Sequence, residues 1–365
     1  MFRFVHAADF HLDSAFRALS PRQAAARRRE SRELPQRLAN YVNQNNIDLV
    51  LLSGDLLDSN AGYRETAEAL RDALASMNVP VFIAPGNHDW YGAGSPYMTM
   101  DWPENVHIFS EEALTGVEIP TLNAVVYGAA FIGAERNSRV LEGFAAPEDG
   151  RVHLGVLHGE FGAADTRYGA ISQQETADSG LDYLALGHIH KRSESVQYGK
   201  TTVAWPGCPE GRGFDELGEK GFYVGTVADH GTVSLEFVPF ARHRYQIVQV
   251  DVTDREPREA VEAILPEGTS RDLYRVILTG ETGEDGVDAA ALQTALADRF
   301  YALEIRDATR PAEDLWARAE EDSLRGLFLR ELREKYKTAE TDAERETVIR
   351  AVRFGLAALE GRDLG

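Results

Sequence analysis

The sequence has one cysteine, Cys208, in 365 residues. That excludes an intrachain disulfide and any cysteine-based zinc site, and it fits a reducing compartment. Long apolar runs are also missing. The strongest are strand-length, as in Asp48-Leu-Val-Leu-Leu-Ser53, far short of the ~20 residues a spanning helix needs, so no membrane association is predicted. The first residues reach Asp9 without an apolar h-region, which predicts no secretory signal and a cytoplasmic chain. Basic residues are outnumbered: 38 Lys and Arg stand against 59 Asp and Glu, a formal charge of −21. An excess of that sign works against sequence-independent nucleic-acid binding, which is mostly neutralisation of phosphates by Lys and Arg. Disorder is excluded by 43% hydrophobic and 27% charged residues, an ordinary balance for a folded chain.

The length exceeds the roughly 250–300 residues at which one core stops growing, so a main domain and a smaller unit are expected. Five short apolar or β-branched runs each end at a polar cluster. They are Phe2–Ala8, Leu49–Ser53, Val79–Ala84, Val152–Leu157 and Tyr183–Leu186. The clusters are Asp9-Phe-His11, Gly54-Asp55, Gly86-Asn-His-Asp89, His158-Gly-Glu160 and Gly187-His-Ile-His190. Helix-like stretches lie between them at Pro21–Asn45, Arg64–Ser76 and Ser172–Ser179, the last opening on a capping box, Ser172-Gln-Gln-Glu175. This alternation predicts an α/β sheet with a site along the carboxyl edge of its strands. Further strand-like runs between Asn123 and Phe240 predict a second sheet.

The character changes after Phe240. Tyr245–Val252, Pro257–Leu265, Asp272–Thr279, Val287–Phe300 and Tyr301–Arg306 read as strand, helix, strand, helix, strand, with an acidic turn at Glu281–Gly286. Beyond Pro311 the chain reads as helical, with Leu324, Leu327, Phe328, Leu332 and Tyr336 at helical spacing, then Ile349, Val352, Leu356 and Leu359. The expected organisation is therefore 1–240, 245–310 and 311–365.

Asp9, His11, Asp55, Asn87, His88, Asp89, His158, His188 and His190 collect at the strand ends. Carboxylate, imidazole and amide oxygen without thiolate suit Mn²⁺, Fe²⁺ or Zn²⁺. Asp-x-His and His-x-His put alternate residues on one side of an extended segment, where both can face one ion. Gly54 and Gly86 permit a sharp turn or a close approach without a Cβ clash. A single such motif is weak, and His6, His107 and His153 are read as packed or solvated histidines. Five clusters at five strand ends are hard to explain by packing.

Together, Asp9-x-His11, Gly54-Asp55, Gly86-Asn87-His88-Asp89, His158 and Gly187-His188-x-His190 resemble the signature of the calcineurin-like metallophosphoesterases, over roughly residues 1–240. The resemblance implies a four-layer αββα sandwich with two divalent metal ions, most often Mn²⁺. By motif position, Asp9, His11, Asp55 and His190 would hold the first ion and Asp55, Asn87, His158 and His188 the second. His88 would then be free to protonate a leaving alkoxide, and Asp89 would orient a neighbour. The order of core, small α+β cap and C-terminal helices is similar to SbcD-type DNA repair exonucleases, which pair with an SMC-like ABC ATPase. Leu186–Arg192, Trp205-Pro-Gly207 and Gly218–Phe222 carry that similarity, with Cys208 standing where a serine is common.

DNA is thus the expected substrate, and the ATPase the expected partner; a homodimer stays open. A stand-alone phosphodiesterase or phosphatase on small molecules or phosphoproteins is the alternative, and a metal-vestigial scaffold a third reading. Between Arg17 and Arg37 lie seven arginines against Glu30 and Glu33. Arg27 and Arg28, with Lys191, Arg192 and Arg212, are expected substrate contacts, although an arginine-rich solvated face explains the segment equally well. Trp90, Tyr91, Tyr97 and Trp102 are expected to pack a lid more than to stack on a base.

Overall fold

A computed structural model describes the chain except residues 164, 229–230, 284–285, 312–314 and 360–365 and the side chain of Asp342. Two positions of the acidic turn, Glu284 and Asp285, and parts of the 311–365 segment therefore lie outside the described residues. The chain divides into two compact units, Met1–Val248 with Leu265–Val276 and Gln293–Ile305, and Gln249–Ile264 with Ile277–Leu292 and Arg306–Gly365.

In the first unit, β1 (Phe2–Ala7), β2 (Leu49–Leu52), β3 (Val81–Ile83) and β4 (Val106–Ile108) run parallel side by side. A second sheet contains β5 (Thr115–Ile119), β6 (Ala124–Gly128) and β7 (Val152–His158), with a small ladder of β8 (Glu160–Phe161) and β9 (Ala170–Ile171) after it. It continues through β10 (Tyr183–Gly187), β11 (Val196–Tyr198) and β12 (Thr201–Ala204), in the order β11-β12-β10-β7-β6-β5. The chain then returns to the first sheet through β13 (Gly221–Val227) and β14 (Val233–Pro239), giving the order β14-β13-β1-β2-β3-β4.

The period-two alternation of the strands assigns each side chain to a layer. Phe4, Leu49 and Leu51 meet Val126, Leu154, Val156 and Ala185 between the sheets. Helix α1 (Pro21–Arg32) is followed by α2 (Leu34–Gln44) and α3 (Arg64–Ala75), and the neighbouring Val5, Val50 and Leu52 face the other way, onto α2 and α3, where Leu34, Leu38, Val42, Leu70 and Leu74 fall at helical spacing. The fourth layer is slight. After α4 (Pro96–Thr99), the Val140–Ala146 stretch covers the second sheet over Leu157, Leu184, Leu186 and Val203, and α5 (Gln173–Asp178) lies against the edge strand β11.

The helix-like stretch Pro21–Asn45 is two helices rather than one. Pro35 falls in the first turn of α2, where its missing N–H costs nothing, whereas in one continuous helix it would leave the Ser31 carbonyl without its donor. Ser172 caps α5 with the reciprocal Glu175 bond. Short edge strands at Val106–Ile108 and Val196–Tyr198 are not legible from pattern, because three residues carry too little periodicity.

Downstream, β15 (Tyr245–Asp251), α6 (Pro257–Ile264), β16 (Leu273–Thr279), β17 (Glu281–Thr282), α7 (Ala289–Leu296), β18 (Ala302–Asp307) and β19 (Arg310–Pro311) follow one another. Strands β15, β16 and β18 form a three-stranded sheet. In the second unit α8 (Leu324–Thr338) and α9 (Asp342–Leu359) pack through Leu329, Leu332, Ile349, Val352 and Leu356, with Leu315 and Ala319. Thr341 and Glu344 cap α9 reciprocally. Leu324, Leu327 and Phe354 stay exposed. Among the described residues no helix is long and apolar enough to cross a membrane.

Candidate metal centre

Strands β1, β2, β3, β7 and β10 bring all five polar clusters to one edge of the two sheets. The chain leaves the extended conformation abruptly there. Asp9, His11, Asp55 and His188 have φ of 55°, 43°, 52° and 93°, in the left-handed region that residues with a Cβ rarely adopt. Such strain persists only where the surroundings over-determine it, and here they do. The Asp9 N–H donates to the Gly54 carbonyl (3.0 Å), that of His11 to Asp55 (2.9 Å) and that of Leu12 to Leu56 (3.0 Å). Gly86 is needed for a close approach: a Cβ there would run into Asp55 Oδ1.

Among the described residues three groups of ligand atoms result, each with its atoms within 4.8 Å of one another; His11, Asp58 and His88 form one, and the other two share Asp9. Of those two, the first is Asp9, His11 and His190 and the second is Asp9, Asp55 and His158. Asn87 Oδ1 adjoins the second, 3.0 Å from His158 Nε2 and 3.2 Å from His188 Nδ1. The outer nitrogens are engaged elsewhere. His11 Nδ1 lies 3.1 Å from Asp58 Oδ1, His158 Nδ1 2.8 Å from the Ser53 carbonyl and His190 Nδ1 2.8 Å from Glu216 Oε1. These contacts turn the three Nε2 atoms inward, the orientation that metal-binding histidines take.

Charge in the centre is strongly perturbed. Burial pushes the Asp9 carboxyl above its ordinary value. Burial would raise Asp55 too, but His158 outweighs it and holds Asp55 well below the usual carboxylate range. Burial works against charge on His158, yet Asp55, 3.3 Å away, lifts it to about 9. His188 is lowered to about 4 by burial and by His158. Glu216, despite burial, is held well below its ordinary value by its bonds to His190 and Arg212.

Residues 2–192 match the calcineurin-like phosphoesterase family. The chain belongs to that family. Its similarity to the uncharacterized metallophosphoesterase YhaO of Bacillus subtilis (strain 168) is 31% identity over 269 residues, 71% of this chain and 65% of that one. Mre11 of Methanopyrus kandleri, a DNA double-strand break repair protein, is 25% identical over 341 residues, 86% of this chain and 72% of that one. Mre11 of Saccharolobus solfataricus is 25% identical over 247 residues, 61% of this chain and 60% of that one. The matches thus span less than two thirds of the Bacillus and Saccharolobus proteins.

Calcineurin-like phosphoesterases use divalent metal ions, and the donors of this chain fit such ions on two observations. Asp9 Oδ1 accepts the His188 N–H at 3.0 Å, while Asp9 Oδ2 is buried with no hydrogen-bond partner, an expensive condition unless a cation answers it. His11 Nε2 and His190 Nε2 converge to 3.1 Å of one another within one ligand group that also holds Asp9.

The other expected site residues separate. His88 is exposed, with Nδ1 3.2 Å from the Asp58 carbonyl, and with Asn87, Trp90, Arg167 and Tyr168 it lines a cavity of about 360 Å³. Asp89 is fully buried and accepts five hydrogen bonds. Oδ1 takes the N–H groups of Asp55 (3.1 Å) and Gly86 (2.8 Å); Oδ2 takes those of Leu56 (2.7 Å) and Leu57 (3.2 Å) and the Tyr97 hydroxyl (2.6 Å). Tyr97 and Trp102 pack together with ring centroids 5.7 Å apart. His6 is buried against the Tyr183 hydroxyl at 2.7 Å, and burial holds it at about 3. Asp58 and Glu216 escape sequence reasoning; neither lies in a recognisable motif, and only the fold brings them to His11 and His190.

The arginine segment requires a correction. Arg27, an expected substrate contact, is 0% exposed and bonded to Glu30 (2.9 Å), Glu210 (3.0 Å) and the Gly211 carbonyl (3.2 Å). Helical spacing puts Arg27 on the same inward face of α1 as Ala24 and Ser31. Arg32 pairs with Asp13 at 3.0 Å, and Arg37 stacks on Phe240. Arg28 donates to the Ala15 carbonyl at 3.3 Å. Lys191 and Arg192 are exposed, the latter 4.1 Å over the Phe237 ring. Arg27→Ala is expected to cost about 3–5 kcal/mol by stranding the buried Glu210, measured by urea unfolding, with little change in KM. A raised KM at unchanged stability would return Arg27 to the substrate surface.

Proposed function

We propose that this chain is a two-metal phosphodiesterase that hydrolyses DNA, an exo- or endonuclease of repair that works with an SMC-like ABC ATPase. The observation that carries the reading is the convergence of Asp9, His11, His158 and His190 around Asp55, whose Oδ2 lies 3.6 Å from His11 Nε2 and 3.3 Å from His158 Nε2, beside an exposed imidazole, His88. The Mre11 similarity supports DNA as substrate, because at 341 residues it extends well beyond the family core at 2–192.

In this reading Asp9, His11, Asp55 and His190 hold one ion and Asp55, Asn87, His158 and His188 the other, with Mn²⁺ the preferred metal and Fe²⁺ or Zn²⁺ the alternatives. Two dications bound there lower the pKa of water towards neutrality and offset charge on the phosphate oxygens. His88, which belongs to neither of these two ligand sets, hydrogen-bonds a phosphate oxygen and delivers a proton to the departing alkoxide. Asp89 keeps the Asp55 and Gly86 loops in register. Arg28, Lys191 and Arg192 meet the phosphate backbone further out. Residues 245–310 act as a cap, and the exposed Leu324, Leu327 and Phe354 on α8 and α9 support partner docking by the 311–365 segment.

The test is digestion of labelled single- and double-stranded DNA with Mn²⁺, beside bis-p-nitrophenyl phosphate. Activity on DNA is expected, lost on chelation and restored by Mn²⁺. Hydrolysis of the small ester with none of DNA, even with the ATPase present, would replace the nuclease by a stand-alone phosphodiesterase.

A further inference from the structure

Arg212 is another expected substrate contact, but its donors are spent inside the protein. Its Nη2 lies 2.6 Å from Glu216 Oε1 and its Nε 3.2 Å from the same oxygen, while its main-chain N–H donates to Glu216 Oε2 at 2.8 Å. Nη2 also sits 2.8 Å from His190 Nδ1, so the guanidinium packs directly against that imidazole. Its Nη1 faces Asp58 Oδ1 at 3.5 Å. Two of the carboxylate oxygens it touches also hold imidazoles: Glu216 Oε1 holds His190 Nδ1 and Asp58 Oδ1 holds His11 Nδ1. His11 and His190 close the ring where their Nε2 atoms face each other. The members come from the loops after β1, β2, β10 and β12, so apart from Arg212 and Glu216, four residues apart, nothing local in the chain links them.

We propose that Arg212 is a positioning residue for the metal centre, bracing Asp58 and Glu216 so that His11 and His190 present their Nε2 lone pairs as one unit. The inference rests on the reading that the centre binds divalent metal. A planar guanidinium suits this role because it spans two carboxylates at once with donors in fixed directions, whereas an ammonium is a single point charge. Without it the two acids lose their common cation, and each imidazole regains freedom of rotamer and tautomer. A guanidinium so occupied has little left to offer a phosphate.

The experiment is calorimetric titration of Mn²⁺ into the metal-free full-length protein, with Co²⁺ absorption spectra and DNA kinetics alongside. Wild type is expected to take up two equivalents. Arg212→Gln is expected to weaken one of them by about 10–100-fold and to alter the Co²⁺ spectrum, with Arg212→Lys restoring only part of the loss. Glu216→Gln, which preserves side-chain shape, is expected to weaken the same equivalent, and the double variant to lose little more than either alone. Unchanged metal affinity in Arg212→Gln with a raised KM for DNA would make Arg212 a phosphate contact and overturn the proposal. Wild-type protein that takes up no Mn²⁺ would overturn the metal reading and this inference with it.

Discussion

His88→Ala is expected to keep its metal and lose about 10²–10⁴-fold in the rate of DNA hydrolysis, the range for removing a general acid. The two parts of the residue separate cleanly. Its main-chain N–H donates to Asp55 Oδ1 at 2.9 Å, and alanine retains that bond. Only the imidazole is lost, and with it the contact of Nδ1 to the Asp58 carbonyl at 3.2 Å. The leaving group supplies the control. A nitrophenolate departs readily without a proton, so bis-p-nitrophenyl phosphate should suffer far less than DNA. Equal losses on both substrates, or loss of metal, would assign His88 to the structure of the centre, as its proximity to His11 and Asp58 allows.

Asp89→Ala is expected to unfold the site and much of the first unit. The carboxylate accepts four main-chain N–H groups and one hydroxyl in a fully buried position. Each buried donor left without an acceptor costs about 1–3 kcal/mol, so the sum is on the order of 6 kcal/mol, comparable with the whole stability of many domains. Asp89→Asn tests the same point more gently. Its one remaining oxygen can serve only part of the set, and its NH₂ meets N–H groups head on. Urea unfolding of the metal-free protein reads both effects. A midpoint unchanged in either variant would mean that the Asp55 and Gly86 loops hold their shape without Asp89.

The legible parts of the centre and the illegible ones differ in a physical way. Asp9, His11, Asp55, Asn87, His158, His188 and His190 each lie within a few residues of a strand end, and parallel strands carry their ends to the same edge. Local pattern therefore places them, and the structure brings them together. Arg27 misleads because a run of arginines looks solvated until the helical phase is set. Its partner Glu210 is 183 residues away, and no local signal announces it. Glu216 and Asp58 are invisible for the same reason, as is the role of Arg212, whose charge is legible but whose partners are not. Pro35 is in plain view, yet a helical pattern that runs through it hides the break before α2.

The sequence by itself determined the alternation of strand and helix, the polar clusters at the strand ends and their oxygen and nitrogen donor chemistry, because each depends on residues near one another in the chain. The tertiary structure alone decided which nitrogen of each histidine faces inward, which arginines are buried and which carboxylates brace the centre. Those properties depend on partners tens to hundreds of residues distant, and on burial, which exists only once the two sheets have closed over one another.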